Sequence, residues 1–276
     1  MNQRKFHRYG FAGLALIIAG GIGLILEWGF FETFMTPVCW TGLILFLDSV
    51  NYSLSGNSLM MTRRREFLWM LPWSIALWYF FEFYNLFIRN WYYIGLPENL
   101  VIRYFGYFWS FATIWPGVYE IYELLKNLNI PAGTKVKPFQ ATRRLRVISV
   151  LFGLCCMLLP FFVSPRAATY MAAPVWIGMV FFLDPLNYYW KSHSFWKDWS
   201  TGDLSTLIRL FLTGILAGGL WEFWNYWATA KWIYEVPLWG DVKIFEMPVL
   251  GYLGFPPFAV EVFVMWEVIK HLLKIK

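Results

Sequence analysis

"LWEFWNYWATAKWIY", residues 220–234, sets a carboxylate, Glu222, at the end of a long apolar run and rings it with Trp221, Trp224, Tyr226 and Trp227. An earlier stretch, "WYFFEFYNLFIRNWYY" (78–93), repeats the arrangement. Glu82 and Asn85 have the same spacing as Glu222 and Asn225, and an aromatic cluster follows each. At that spacing on a helix, acid and amide share one face. A reading of this chain has to account for two such faces inside apolar segments.

The 276 residues are 59% hydrophobic and 14% charged, whereas soluble chains run at about 25% charged. The mean hydropathy is +0.48. Apolar segments near the bilayer-spanning length of about 20 residues are expected at eight places. They centre on residues 10–27, 33–52, 67–89, 101–125, 147–164, 169–190, 204–228 and 247–272. Because a helix satisfies its own backbone polar groups in lipid, the expected fold class is all-α: a polytopic membrane protein of about eight transmembrane helices. Pro248, Pro256 and Pro257 break the last segment, so part of it is a candidate re-entrant piece.

The basic start and apolar run of residues 1–29 lack a small-residue cleavage site and read as a retained first helix. Cys39, Cys155 and Cys156 fall within expected spans, and His7, His193 and His271 lie in polar flanks. Neither a disulfide framework nor a metal site is expected. With the N-terminus inside, the inner side holds the tail (Arg4, Lys5, Arg8), Arg63–Arg65, the basic 126–146 loop, the 191–203 loop and the C-terminus. Only Arg89, Arg103, Arg166, Lys231 and Lys243 face outward, and Arg209 opens the seventh span. This is the positive-inside pattern, expected of a bacterial inner (cytoplasmic) membrane protein with both termini cytoplasmic. It accounts for the net charge of +6 without a nucleic-acid partner.

The halves match in order. "LFLDSVNY" (45–52) pairs with "FFLDPLNY" (181–188), aligning Asp48 with Asp184 and Asn51 with Asn187. Glu82 and Asn85 pair with Glu222 and Asn225, Pro97 with Pro237, and Glu120 with Glu261. Offsets that grow slowly along the chain indicate duplication with small insertions. Four spans in each half make the repeats parallel, related by an axis along the membrane normal. The expected organisation is a first repeat (1–125), a cytoplasmic linker (126–146) and a second repeat (147–276).

A carboxylate inside a membrane helix costs about 2.5–3.5 kcal/mol on insertion scales, which makes it a functional candidate by default. The expected catalytic set is Glu82, Glu120, Glu222 and Glu261, with Asp48, Asn51, Asn85, Asp184, Asn187 and Asn225 as orienting polar groups. The plainer reading is that acid–amide pairs pin neighbouring helices together. Eighteen Trp exceed what interfacial belts call for. Trp78, Trp115, Trp221, Trp224, Trp232 and Tyr234 are the expected substrate-lining residues. Buried acids and aromatic faces form one chemical set. A carboxyl group in an apolar pocket keeps its proton and can pass it to an alkene or epoxide. Ring faces then stabilise the cation by roughly 2 kcal/mol or more, and a second carboxylate removes a proton. Glycines 10, 13, 20, 21, 214, 218 and 219 read as helix-packing positions.

The stretch "LWEFWNYWATAKWIY…KIFEMPVLGYLGFPPFAVEVF" resembles the membrane-embedded lycopene cyclase domain superfamily. That pattern combines an aromatic-flanked acid, a Trp-x-Tyr and a proline-led acidic motif that opens a helix. Glu222, Trp232/Tyr234 and Pro257 to Glu261 match it here, as do Glu82, Trp91/Tyr93 and Pro116 to Glu120 in the first half. The resemblance implies duplicated helical halves and an isoprenoid or carotenoid cyclase-like activity. The expected function is acid-initiated cyclisation or isomerisation of an isoprenoid or other lipid, without a cofactor. The partner is a membrane lipid or lipophilic small molecule. A proton-coupled transporter or permease and a non-catalytic structural subunit are the alternatives.

Overall fold

A computed structural model describes residues 5–275, so Arg4 and Lys276 of the charge pattern lie outside the described residues. The chain runs α1 (Arg8–Ile25), α2 (Gly29–Ser55), α3 (Arg64–Ile88), β1 (Trp91–Ile94), α4 (Leu100–Ala112) and α5 (Ile114–Asn127). After the linker come α6 (Arg143–Leu158), α7 (Pro165–Ala168), α8 (Ala172–Tyr189), α9 (Phe195–Thr201) and α10 (Ser205–Trp227). It closes with β2 (Lys231–Tyr234), β3 (Lys243–Ile244), β4 (Met247–Pro248) and α11 (Phe255–Leu273).

The protein is mostly helical, and five helical segments are long and apolar enough to cross a membrane. They are α1, α2, α6 with the 3₁₀ turn after it (Arg143–Phe161), α10, and α11 with the 3₁₀ turn before it (Val249–Leu273). The other expected spans are also helical but differ in kind. α3 opens on Arg64, Arg65 and Glu66 and carries Glu82 and Asn85, and α8 carries Asp184 and Asn187. The segment expected as one span over 101–125 is divided at Thr113 into α4 and α5. Pro116 explains the division, because it has no N–H for the Ala112 carbonyl one turn back. Pro256 and Pro257 instead occupy the first turn of α11, where a missing N–H costs nothing. Ahead of them, residues 247–254 form a strand piece and a 3₁₀ turn.

Glycine brings two helix pairs into backbone contact, α1 with α2 and α6 with α8. A Cβ on Gly13 would stand 2.4 Å from the Gly42 carbonyl oxygen, and one on Gly153 would stand 2.5 Å from that of Gly178. Between helices in an apolar medium, close packing is a main source of association. Of the glycines expected to pack, Gly10, Gly13, Gly20, Gly214 and Gly218 meet a neighbouring helix or side chain. Gly21 and Gly219 face open space, which corrects that expectation.

The buried apolar core draws on both halves. α10 packs on α2 and α5, and α11 packs on α5. Trp40 of α2 meets Trp221 and Trp224 of α10 at centroid distances of 5.2 and 5.3 Å. The linker lies along α9: Val136 N–H donates to the Gly202 carbonyl, and Phe139 N–H to that of Trp199. Lys135 Nζ pairs with Asp203 Oδ2 at 2.7 Å. That bond, together with those from Ser205, holds the Asp203 carboxyl well below the usual carboxylate range.

Gly153→Val forces a side chain into the Gly178 backbone, and overpacking of this kind costs about 1–3 kcal/mol. Its melting temperature in detergent is expected to fall by several degrees, whereas Gly21→Ala is expected to melt like the wild type. Equal melting of all three proteins would remove the backbone contact from the account.

Candidate functional site

β1 follows α3 and β2 follows α10, and the two strands pair antiparallel. Trp91 stands opposite Tyr234, Tyr92 opposite Ile233, Tyr93 opposite Trp232, and Ile94 opposite Lys231. The Trp-x-Tyr of one half therefore lies against the Trp-x-Tyr of the other. Asn85 and Asn225 set up this pairing. Asn85 Nδ2 donates to the Trp91 carbonyl at 2.7 Å, and its Oδ1 accepts from Asn90 N–H at 2.9 Å. Asn225 Nδ2 donates to the Trp232 carbonyl at 2.9 Å, and its Oδ1 accepts from Trp232 N–H at 3.0 Å. Expected to orient the glutamates, both amides instead hold strand backbone, which has no helical partners of its own.

The glutamates beside them differ. Glu82 Oε1 accepts three donors: Trp78 Nε1 at 3.0 Å, Trp91 Nε1 at 3.0 Å and the Tyr93 hydroxyl at 2.6 Å. Glu222 is fully buried, and its Oε1 accepts only the Tyr234 hydroxyl, at 3.1 Å. Its Oε2 is buried without a partner, as is the indole nitrogen of Trp232. One residue accounts for a missing donor. In the alignment of the halves Trp78 corresponds to Gly218, and the Phe255 ring comes within 2.1 Å of where a Cβ on Gly218 would lie.

A cavity of about 130 Å³ lies between the halves. Trp78, Trp91 and Tyr93 of the first half and Trp221, Trp232 and Tyr234 of the second line it. Neither glutamate is part of the wall; each reaches it through the tyrosine hydroxyl it accepts. Of the expected lining residues, Trp115 and Trp224 are elsewhere. Trp115 is fully buried against Trp266, at 5.7 Å between ring centroids, and Trp224 packs on Trp40. Sequence reasoning left Trp176, Tyr107 and Arg103 out of the wall. It also matched Trp91 and Tyr93 to the second-half pair without adding them to the lining set. Their signal was the repeated Trp-x-Tyr after the acid–amide pair.

The remaining polar residues lie apart from the cavity wall. Asn51 Nδ2 donates to Glu120 Oε2 at 2.8 Å and to the Glu120 carbonyl at 3.0 Å, and Asn127 Nδ2 donates to Asn51 Oδ1 at 3.0 Å. Glu120 Oε1 has no partner. In the second half Asn187 Nδ2 donates to the Val264 carbonyl at 2.9 Å, and both oxygens of fully buried Glu261 are unpartnered. Asp48 accepts from Ser58 Oγ at 2.9 Å, Met60 N–H at 2.7 Å and the Tyr9 hydroxyl. Asp184 accepts from Phe195 N–H at 3.0 Å and Trp196 N–H at 3.2 Å, the first N–H groups of α9. Both aspartates thus tie down the chain that follows their helix. No family model, no curated protein and no solved structure matches this chain.

The two glutamates are expected to respond unequally to removal of the carboxylate. Glu82→Leu removes the acceptor shared by three donors, of which Trp78 Nε1 keeps a 3.3 Å bond to the Tyr93 hydroxyl, and each donor left unpaired costs about 1–3 kcal/mol, whereas Glu222→Leu strands one and fills an apolar surround. Thermal melting in detergent is expected to fall much further for Glu82→Leu. Equal losses would contradict the three-to-one difference in donors.

Proposed function

We propose that this chain acts on an isoprenoid or other lipid by acid-initiated cyclisation or isomerisation, the activity class its resemblance to lycopene cyclase domains implies. The observation that carries the reading is the aromatic cavity between the halves, with two unequal glutamates behind its tyrosines. Glu222 has a bare, buried oxygen and few donors, which suits a carboxyl group carrying a proton. With that proton on Oε1, the Tyr234 oxygen takes it and passes its own hydroxyl proton to an alkene carbon, forming a C–H bond as the π bond breaks. The resulting cation lies among Trp78, Trp221 and Phe258, and ring faces attract a cation by roughly 2 kcal/mol when water is excluded. A second double bond closes the ring, or the cation stays open for isomerisation. Loss of a neighbouring proton through Tyr93 to Glu82 then restores neutrality. Glu82, whose Oε1 already accepts from Trp78, Trp91 and Tyr93, takes the base role in this reading. The substrate gains and loses one proton, and return of a proton from Glu82 to Glu222 resets the site, so the reaction calls for no redox cofactor.

The architecture in this reading is eight spans in two parallel repeats, in a bacterial cytoplasmic membrane with both termini inside. Matched contacts support the repeat: Asn85 to Trp91 and Asn225 to Trp232, Asp48 to Met60 and Asp184 to Trp196, Gly13 to Gly42 and Gly153 to Gly178. A proton-coupled permease is the second reading, and Glu261 favours it. This acid is fully buried without a partner and away from the cavity wall, the setting of an intramembrane proton site.

Glu222→Gln keeps shape and an acceptor for Tyr234 but removes the titratable proton. Lipid products formed in an isoprenoid-supplying host are expected to fall by about 10²–10⁴-fold with little change in melting temperature. Unchanged lipid profiles on expressing the wild-type chain across several such hosts would overturn the enzyme reading. For topology, single cysteines placed at residues 135 and 240 are expected to label from opposite sides of the membrane. Labelling from one side would rule out the eight-span arrangement.

A further inference from the structure

We infer that the cavity takes an amphiphile with an anionic head, a carboxylate or phosphate ester on an apolar chain, and that Arg103 receives the head. The inference rests on the lipophile reading of the cavity and adds the chemical class of the ligand. Two cationic side chains line the cavity, Arg103 and Lys231. Lys231 is neutralised locally: its Nζ pairs with Glu246 Oε1 at 2.6 Å and donates to the Tyr226 carbonyl at 3.2 Å. Arg103 is not. Its Nε donates to the Pro97 carbonyl at 2.8 Å, and among the described residues no carboxylate pairs with it. The two terminal nitrogens of a half-buried guanidinium thus make no hydrogen bond to the described residues.

The Arg103 terminal nitrogens are not among the buried unpartnered atoms of the described residues, so they stand open to a ligand. The guanidinium fork matches carboxylate and phosphate oxygens in pairs. The lining has two unlike groups. Arg103 Nε bonds to the Pro97 carbonyl, and Leu96, Pro97, Arg103 and Lys231 make up the first. Trp78, Trp221 and Phe258, with ring centroids 5.7 to 6.4 Å apart, make up the second. A neutral hydrocarbon has no use for the first group. An anionic head on Arg103 leaves its chain to the aromatic rings.

The test uses the whole chain in a neutral maltoside detergent and two probes, cis-parinaric acid and its methyl ester, both polyenes that take energy from excited tryptophan. The acid is expected to bind about tenfold or more tightly than the ester, as a charge-assisted hydrogen bond of about 1.4 kcal/mol or more implies. Arg103→Gln is expected to lower affinity for the acid to that for the ester, and Arg103→Lys to retain part of the preference. Farnesyl phosphate is expected to displace the acid, and sodium phosphate is not. Equal affinities for acid and ester in the wild type would overturn the anionic head and leave the lipophile cavity standing, whether or not Arg103→Gln folds. A preference for the acid that survives in folded Arg103→Gln would overturn the role of Arg103. Displacement by sodium phosphate alone would overturn the amphiphile in favour of a small anion. Energy transfer to neither probe would overturn the cavity reading itself, and this inference with it.

Discussion

Backbone that leaves a helix within an apolar protein needs hydrogen-bond partners from somewhere, and the chain has to solve that problem twice, after α3 and after α10. Its solution is mutual. Each emerging segment pairs with the other as β1 and β2, and an asparagine from the preceding helix closes the turn into each strand. Much else follows from this pairing. It binds the two halves together at the point where their aromatic clusters meet. It carries Trp91, Tyr93, Trp232 and Tyr234 onto the walls of one cavity, and it positions the tyrosine hydroxyls on Glu82 and Glu222.

The symmetry of the strands makes the asymmetry of the acids informative. Trp78 donates to Glu82, while Gly218 leaves the corresponding volume to Phe255. Two carboxylates at matched positions of the sequence then sit in unlike hydrogen-bond environments. The same logic separates the deeper acids. Glu120 has Asn51 on one oxygen, while Glu261 has no partner on either.

The helical character and the apolar helices of membrane-spanning length were legible because they depend on composition and run length, which packing does not alter. The acid–amide spacing was legible for the same local reason, since a helix face is fixed by three-residue separations. The targets of the amides were not legible. Asn85 and Asn225 bond to residues beyond the end of their helices, and a helical reading assigns such side chains to the face they leave. Trp115 and Trp224 read like Trp78 and Trp221, because a tryptophan at depth looks the same whether it meets a cavity or another indole. The strands were missed because four residues rich in Trp and Tyr at a helix end look like an interfacial belt. The division at Thr113 was foreshadowed by Pro116, although a proline inside a run does not by itself tell a kink from a break. Gly42 and Gly178 lie outside any small-residue repeat, and only the approach of the partner helix reveals their role. Arg103 was counted as one outer charge among several, and its lack of a counter-ion is visible only in three dimensions.

The account stands or falls on the register of the strand pair, because the cavity and the two glutamate environments are assembled through it. With Cys39, Cys155 and Cys156 replaced by serine, cysteines at positions 92 and 233 occupy directly opposed sites, within the roughly 4.4–6.8 Å Cα separation that a disulfide spans. Oxidation in isolated membranes is expected to give an intramolecular cross-link for the 92/233 pair and none for 94/235, joined as the two fragments of a chain cleaved in the 126–146 linker. Cross-linking at 94/235 in preference to 92/233, or at neither pair, would contradict it.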